Sequence, residues 1–225
     1  NGLILDLRYN PGGYLTSAAE VADLFISEGV IVKSSPRNGF ASYDIAHAKG
    51  THPAYPLVIL INEGSASASE IVAGALQDPK HNRATLVGER SYGKGSVQQV
   101  TPYTGGGSQL KYTIAYYHLP SDQQVKNRYQ MEKLGRKDWG IAPDVEVVTN
   151  TAELREMLEM QRDNDVLVQA DHDESSAPTK RSNLAQTLDS DPQLATGLLV
   201  LQTKLIHGGR EMVFPSDPNT IVLKQ

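Results

Sequence analysis

Short apolar runs stopped by glycine-rich turns, each followed by apolar residues at helical spacing, lay out the first half of this chain. Leu3-Ile4-Leu5, ended by Asp6-Leu7-Arg8 and the turn Asn10-Pro11-Gly12-Gly13, reads as a core strand meeting a tight loop. Leu15, Ala18, Ala19, Ala22, Phe25 and Ile26 then recur at three- and four-residue steps, which predicts a helix, with Ser17 and Glu20 as a capping box at its start. A second buried strand, Leu57 to Ile61, passes through Asn62-Glu63-Gly64 into a small-residue helix over Ser65 to Leu76, and a third strand, Ala84 to Val87, ends at Gly88. Apolar strands alternating with helices predict an α/β core with its strands covered on both faces.

Beyond the turn Gly105-Gly106-Gly107, residues 110–117 alternate like a half-buried strand, and Gly140-Ile141-Ala142-Pro143-Asp144-Val145 reads as a loop entering another. The core is expected to close near residue 150, giving a unit over 1–150 and a mainly helical extension over 151–225. In that extension, residues 153–162 form a short amphipathic helix, residues 170–183 a polar connector, and residues 184–206 a helical stretch interrupted at Asp191-Pro192.

Composition narrows the function. The 225 residues, 39% hydrophobic and 21% charged with a mean hydropathy of −0.37, suit a soluble globular protein, and no apolar run is long enough to span a bilayer. The net charge of −5 comes from 26 acids and 21 bases mixed along the chain, so no basic stripe awaits a phosphate backbone and nucleic acid is not an expected partner. The absence of cysteine excludes disulfides and thiolate metal sites. No targeting signal opens the sequence, and a strand starting at residue 3 leads us to expect chain before it.

Turns at the ends of buried strands are where α/β folds present reactive side chains. Ser67 falls where the second strand hands over to its helix, in the positive field of unpaired N–H groups, a place suited to a nucleophile or an oxyanion. On this segment alone a plain N-cap completed by Glu70 is the favoured reading, although three serines in five residues exceed what one cap needs. Lys94 lies between Gly93 and Gly95, which makes helix unfavourable and lets the backbone approach other groups closely. A lysine serving as a base near neutrality needs its pKa lowered by about three units, on the order of 4 kcal/mol, and hence an apolar, nearly closed setting. Gln98, four residues on, is placed either to orient that amine or to lie exposed on a strand.

Four ordered blocks, Gly2-Leu3-Ile4-Leu5-Asp6-Leu7-Arg8-Tyr9-Asn10-Pro11-Gly12-Gly13, Gly64-Ser65-Ala66-Ser67-Ala68-Ser69-Glu70-Ile71, Gly93-Lys94-Gly95-Ser96-Val97-Gln98 and Gly140-Ile141-Ala142-Pro143-Asp144, resemble the carboxyl-terminal processing peptidases, or tail-specific proteases. The resemblance spans residues 2–147. It implies a core of the crotonase and Clp peptidase kind, with Ser67 as nucleophile, Lys94 as general base, Gln98 assisting it, and an oxyanion hole from the Ala68 amide and that of Gly12 or Gly13. It also implies polypeptide substrates cut near their C-termini, a PDZ domain in the full-length protein, an exported or periplasmic location, and neither metal nor cofactor. Pairing of subunits through the C-terminal helices stays open. The segment 77–83 is longer than is usual for the family and is expected only to enlarge a surface loop.

Four other readings compete. Gly88-x-x-x-x-Gly93-Lys94 matches the start of a phosphate-binding P-loop, but Gly95 stands where Ser or Thr is needed and a strand follows. Ser91-x-x-Lys94 has the spacing of penicillin-recognising enzymes without their helix or companion motifs, and a triad through His47 or His118 lacks a nucleophile elbow. A catalytically silent peptide-binding relative keeps the fold without the chemistry.

Overall fold

The computed structural model describes residues 1–103, 105–162 and 182–208 with their side chains, and the backbone of 163–165, 212–213 and 222–223. Four parallel strands, β1 (Leu3–Asp6), β4 (Leu57–Ile61), β5 (Thr85–Gly88) and β8 (Val145–Glu146), form one sheet in that spatial order. Four antiparallel strands form a second sheet in the order β3 (Ser42–Ile45), β2 (Val30–Pro36), β7 (Gln109–His118) and β6 (Ser96–Pro102). The helices α1 (Leu15–Asp23), α2 (Ala68–Gln77), α3 (Arg128–Lys133), α4 (Thr151–Asp165), α5 (Leu184–Ser190) and α6 (Pro192–Ile206) surround them, and a two-stranded pair, β9 (Met212–Val213) and β10 (Val222–Leu223), ends the chain. No helix among the described residues is long and apolar enough to cross a membrane.

The uninterrupted apolar run of β4 has a direct cause. Successive side chains of a strand point to opposite faces. Leu57, Ile59 and Ile61 join Ile71, Val72, Ala75 and Leu76 of α2 and Ala18 and Ala22 of α1 in the larger core, while Val58 and Leu60 join Val200 and Leu201 of α6 on the other side. Each of the Val, Leu and Ile side chains contributes about 1.5–3 kcal/mol on burial, so both faces favour hydrocarbon. Gly197 of α6 lets the helix approach so closely that a Cβ there would stand 2.8 Å from Leu60. The helical extension expected beyond residue 150 thus completes the core: α6 covers a sheet face that residues 1–150 would leave bare.

The interruption expected at Asp191-Pro192 is a helix boundary. α5 ends at Ser190, and Asp191 caps α6 by accepting from the Leu194 N–H at 2.9 Å, with Pro192 at the first helical position. The Ser17–Glu20 capping box does not form. α1 begins at Leu15, with Tyr14 at the cap position and no side-chain cap, because the Gly12-Gly13 turn already delivers the chain to the helix two residues earlier. Residues 170–181 of the expected connector lie outside the described residues, and Asn183 is the N-cap of α5. The 77–83 segment is tied down: Asp78 accepts from the main chain of Lys80 and Ser121, and Arg83 donates to the carbonyls of Tyr55 and Pro53.

Candidate active site

Parallel pairing brings the C-terminal ends of β1, β4 and β5 to one edge, with Asp6 opposite Leu60 and Ile61 opposite Gly88. The three turns that leave this edge, residues 9–13, 62–67 and 89–95, are bonded to one another. Ala66 N–H donates to the Asn10 carbonyl at 3.0 Å, and Tyr92 N–H to the Ser65 carbonyl at 2.9 Å. Gly12 has φ +92°, and a Cβ added to it would lie 2.6 Å from the Ala68 nitrogen, so the first turn runs directly over the start of α2.

The three serines of the second turn have separate tasks. Ser65 is fully buried; its hydroxyl donates to the Leu7 carbonyl at 2.8 Å and accepts from Asn62 N–H at 2.9 Å. The buried Ser69 hydroxyl donates to the Asn10 carbonyl at 3.1 Å. Ser67 alone lines the adjoining cleft. Its backbone, at φ 55° and ψ −116°, lies outside the extended conformation usual for an N-cap, a strain on the order of 1–3 kcal/mol of the kind found where a side chain is held for chemistry.

Glu70 provides the carboxylate half of the capping box, accepting from Ser67 N–H at 2.8 Å, and does more besides. Although completely buried, its carboxylate also accepts from Lys94 N–H at 2.8 Å, Gly93 N–H at 2.7 Å and the Ser91 hydroxyl at 2.6 Å. One side chain therefore sets the Ser67 turn against the Lys94 turn. Tyr117 makes a second bridge from β7: its hydroxyl donates to the Lys94 carbonyl and, at 3.4 Å, to the Ser67 carbonyl. Burial first, then the nearby Glu70 carboxylate, pushes the Tyr117 hydroxyl well above the ordinary tyrosine range, which keeps it protonated and donating. The sequence reading assigned Glu70 only to capping, weighed Ser91 only for its spacing to Lys94, and did not single out Tyr117. The Ser-x-x-Glu spacing was the available signal for Glu70; the Ser91-x-x-Lys94 spacing gave no hint that Ser91 bonds Glu70, and Tyr117 carries no signal.

The flanking glycines of Lys94 are explained by the chain passing over them. A Cβ on Gly93 would stand 2.6 Å from the Lys126 carbonyl oxygen, and one on Gly95 would run into that of Val125. Lys94 itself is half-buried and shares a cleft of about 350 Å³ with Ser67, Ala68, Gly13 and Gln98, among the apolar side chains of Leu15, Ile71 and Val97. The Ser67 hydroxyl and the Lys94 amine are not directly hydrogen-bonded to each other, nor does Gln98 bond that amine, in the described residues. Gly12 N–H donates to Asn10 Oδ1 at 3.0 Å, whereas no protein acceptor takes the N–H of Gly13 or Ala68 among the described residues. His47 lies outside the cleft, paired with Asp23, and His118 faces Ser35, so neither histidine reaches Ser67. Lys94 precedes strand β6 rather than a helix, which removes the phosphate cradle that a P-loop needs.

Residues 1–147 match the sequence family described as Peptidase family S41. The carboxy-terminal-processing protease of Bartonella bacilliformis is 35% identical over 98% of this chain and 48% of its own length. The chloroplastic carboxyl-terminal-processing peptidase 3 of Arabidopsis thaliana is 42% identical over 69% of this chain and 28% of its own. Among solved structures, a photosystem II D1 C-terminal processing protease superposes with a TM-score of 0.55 at 35% identity, over 65% of this chain and 34% of that one. The chain thus spans at most about half the length of these curated relatives. A family match over residues 1–147, together with a relative that aligns to nearly all of the sequence, establishes that the chain belongs to peptidase family S41.

Proposed function

We propose that this chain carries the catalytic centre of a serine endopeptidase that cuts polypeptides near their C-termini. Ser67 attacks the peptide carbonyl while neutral Lys94 takes its proton; the Ala68 and Gly13 amides hold the developing oxyanion; protonated Lys94 then returns the proton to the leaving amine. Water hydrolyses the acyl-enzyme by the same route in reverse. The observation that carries this reading is one cleft holding a backbone-strained serine, a half-buried lysine and two main-chain donors with no protein acceptor among the described residues. Gly13 is chosen over Gly12 because the Gly12 N–H is already bonded to Asn10. Closure of the Ser67 hydroxyl onto the Lys94 amine accompanies substrate binding, and Gln98, on the cleft wall, orients the amine in that state.

The processing proteases to which the chain is similar support polypeptide substrates. Selection of the substrate C-terminus by a PDZ domain of a longer chain, and an exported location, complete the proposal. Ser67→Ala and Lys94→Ala should each abolish cleavage of an unstructured polypeptide and, for Ser67→Ala, labelling by a fluorophosphonate probe. Cleavage by Lys94→Ala at the parent rate would sink the assignment of the base, and labelling at another serine that of the nucleophile.

A further inference from the structure

Arg8 lies five residues before Gly13, and its guanidinium is the most heavily engaged group among the described residues. Its side chain is 3% exposed and forms a two-pronged pair with Asp191, Nη1 to Oδ1 and Nη2 to Oδ2, both at 2.8 Å. Asp6 takes Nε at 3.0 Å and Nη2 at 2.7 Å, and Met157 Sδ and Gln193 Oε1 each lie 3.3 Å from Nη1. Asp191, 4% exposed, belongs to the α5–α6 junction, 183 residues away along the chain and outside the segment that matches the family. Gln193 in turn donates to Glu89 in the third turn and to the Val147 carbonyl.

Resting on the proposed peptidase reading, we infer that Asp191 is a positioning residue. Through Arg8 it holds the 9–13 turn, and with it the Gly13 amide, at the height over Ser67 that an oxyanion requires. Two features place the effect on the turn rather than only on helix docking. Tyr9, next to Arg8, has a left-handed φ of 56°, a conformation that needs both flanks held. The Asn10 carbonyl is the single acceptor joining this turn to Ala66 and Ser69, so a rotation at Arg8 is passed directly to the start of α2. The C-terminal helices thus act on the site by clamping the strand end from which the turn departs.

The test uses the full chain and the variant Asp191→Asn, which retains an N-cap for α6 but removes the charge that pairs with Arg8. The control is Gly197→Ala, which loosens the same helix against Leu60 without touching Arg8. Measured where both variants remain folded, hydrogen exchange of the 9–14 segment should accelerate in Asp191→Asn and not in Gly197→Ala. In parallel, kcat should fall about 10- to 100-fold with KM nearly unchanged in Asp191→Asn alone. Unaltered exchange in the 9–14 segment, an unaltered kcat despite a lowered melting temperature, or equal losses in both variants would each overturn the inference. The exchange measurement does not depend on turnover; should Ser67→Ala cleave as the parent does, the peptidase reading falls while the clamp is judged on exchange alone.

Discussion

Glu70→Gln perturbs the centre of the site by one atom type. The carboxylate accepts four hydrogen bonds, two at Oε1 from Ser91 and Gly93 and two at Oε2 from Ser67 and Lys94. A glutamine has one acceptor oxygen and one NH₂ donor. With the NH₂ facing Ser67 and Lys94, two main-chain N–H groups meet a donor. With it facing Ser91 and Gly93, only the Gly93 N–H is orphaned, since the Ser91 hydroxyl can turn to accept, as it already does from Ile141 N–H. The second orientation is therefore adopted. Losing the Gly93 bond costs about 1.5–3 kcal/mol, and replacing the charged acceptor for the remaining partners adds about 0.5–1 kcal/mol each, or about 3–6 kcal/mol in all. The cheaper burial of a neutral amide offsets part of this. For a chain of this size the melting temperature should drop on the order of 10 °C. Fluorophosphonate labelling of Ser67 in the folded variant should slow at the same time, because the Lys94 turn loses its Gly93 bond to the side chain that ties it to the Ser67 turn. Urea unfolding and labelling kinetics on parent, Glu70→Gln and Glu70→Ala test the ranking, with Glu70→Ala the weakest. A Glu70→Gln variant as stable as the parent and labelled at the same rate would refute the reasoning, since it would mean that the four bonds hold nothing together.

Gly12→Ala combines a disfavoured φ with a Cβ against the Ala68 nitrogen, so it should displace the 9–13 turn and lower kcat about 100- to 1000-fold, while circular dichroism shows the fold retained. Tyr117 yields a prediction at high pH. Its folded pKa is raised above the unfolded value near 10, so the unfolded state loses the proton first; the stability is fully present below that value and is lost as pH rises toward the native one. The parent's unfolding free energy should therefore fall with a steeper slope above pH 10 than that of Tyr117→Phe, by up to about 1.4 kcal/mol per pH unit, in urea titrations at stepped pH. Equal slopes would contradict the buried, neutral hydroxyl.

Much of the parallel sheet and its turns could be read without a structure. Leu57 to Ile61 is apolar at every position, a pattern with few uses other than a strand covered twice, and the glycines at 12, 93 and 95 mark where backbone had to bend or pass close. The antiparallel sheet was only half visible. β7 alternates and Val97 to Pro102 reads as strand, but β2 and β3 went unread, since the pairing of β2 with β7, as in Lys33 opposite His118, and of β3 with β2 leaves no local trace.

The serines show where the boundary lies. Local pattern placed Ser65, Ser67 and Ser69 in one strand-to-helix turn, because hydrophobic periodicity and turn chemistry act over a few residues. That Ser65 bonds the Leu7 carbonyl just past β1 and Ser69 the Asn10 carbonyl of the first turn, that Glu70 gathers four donors from two loops, and that Asp191 reaches Arg8 depended on the tertiary structure. Periodicity tells which face of an element avoids water, and nothing about which distant group meets it. Hydrogen-bond partners that far apart are chosen by strand order and register, and those are set only when the whole core closes.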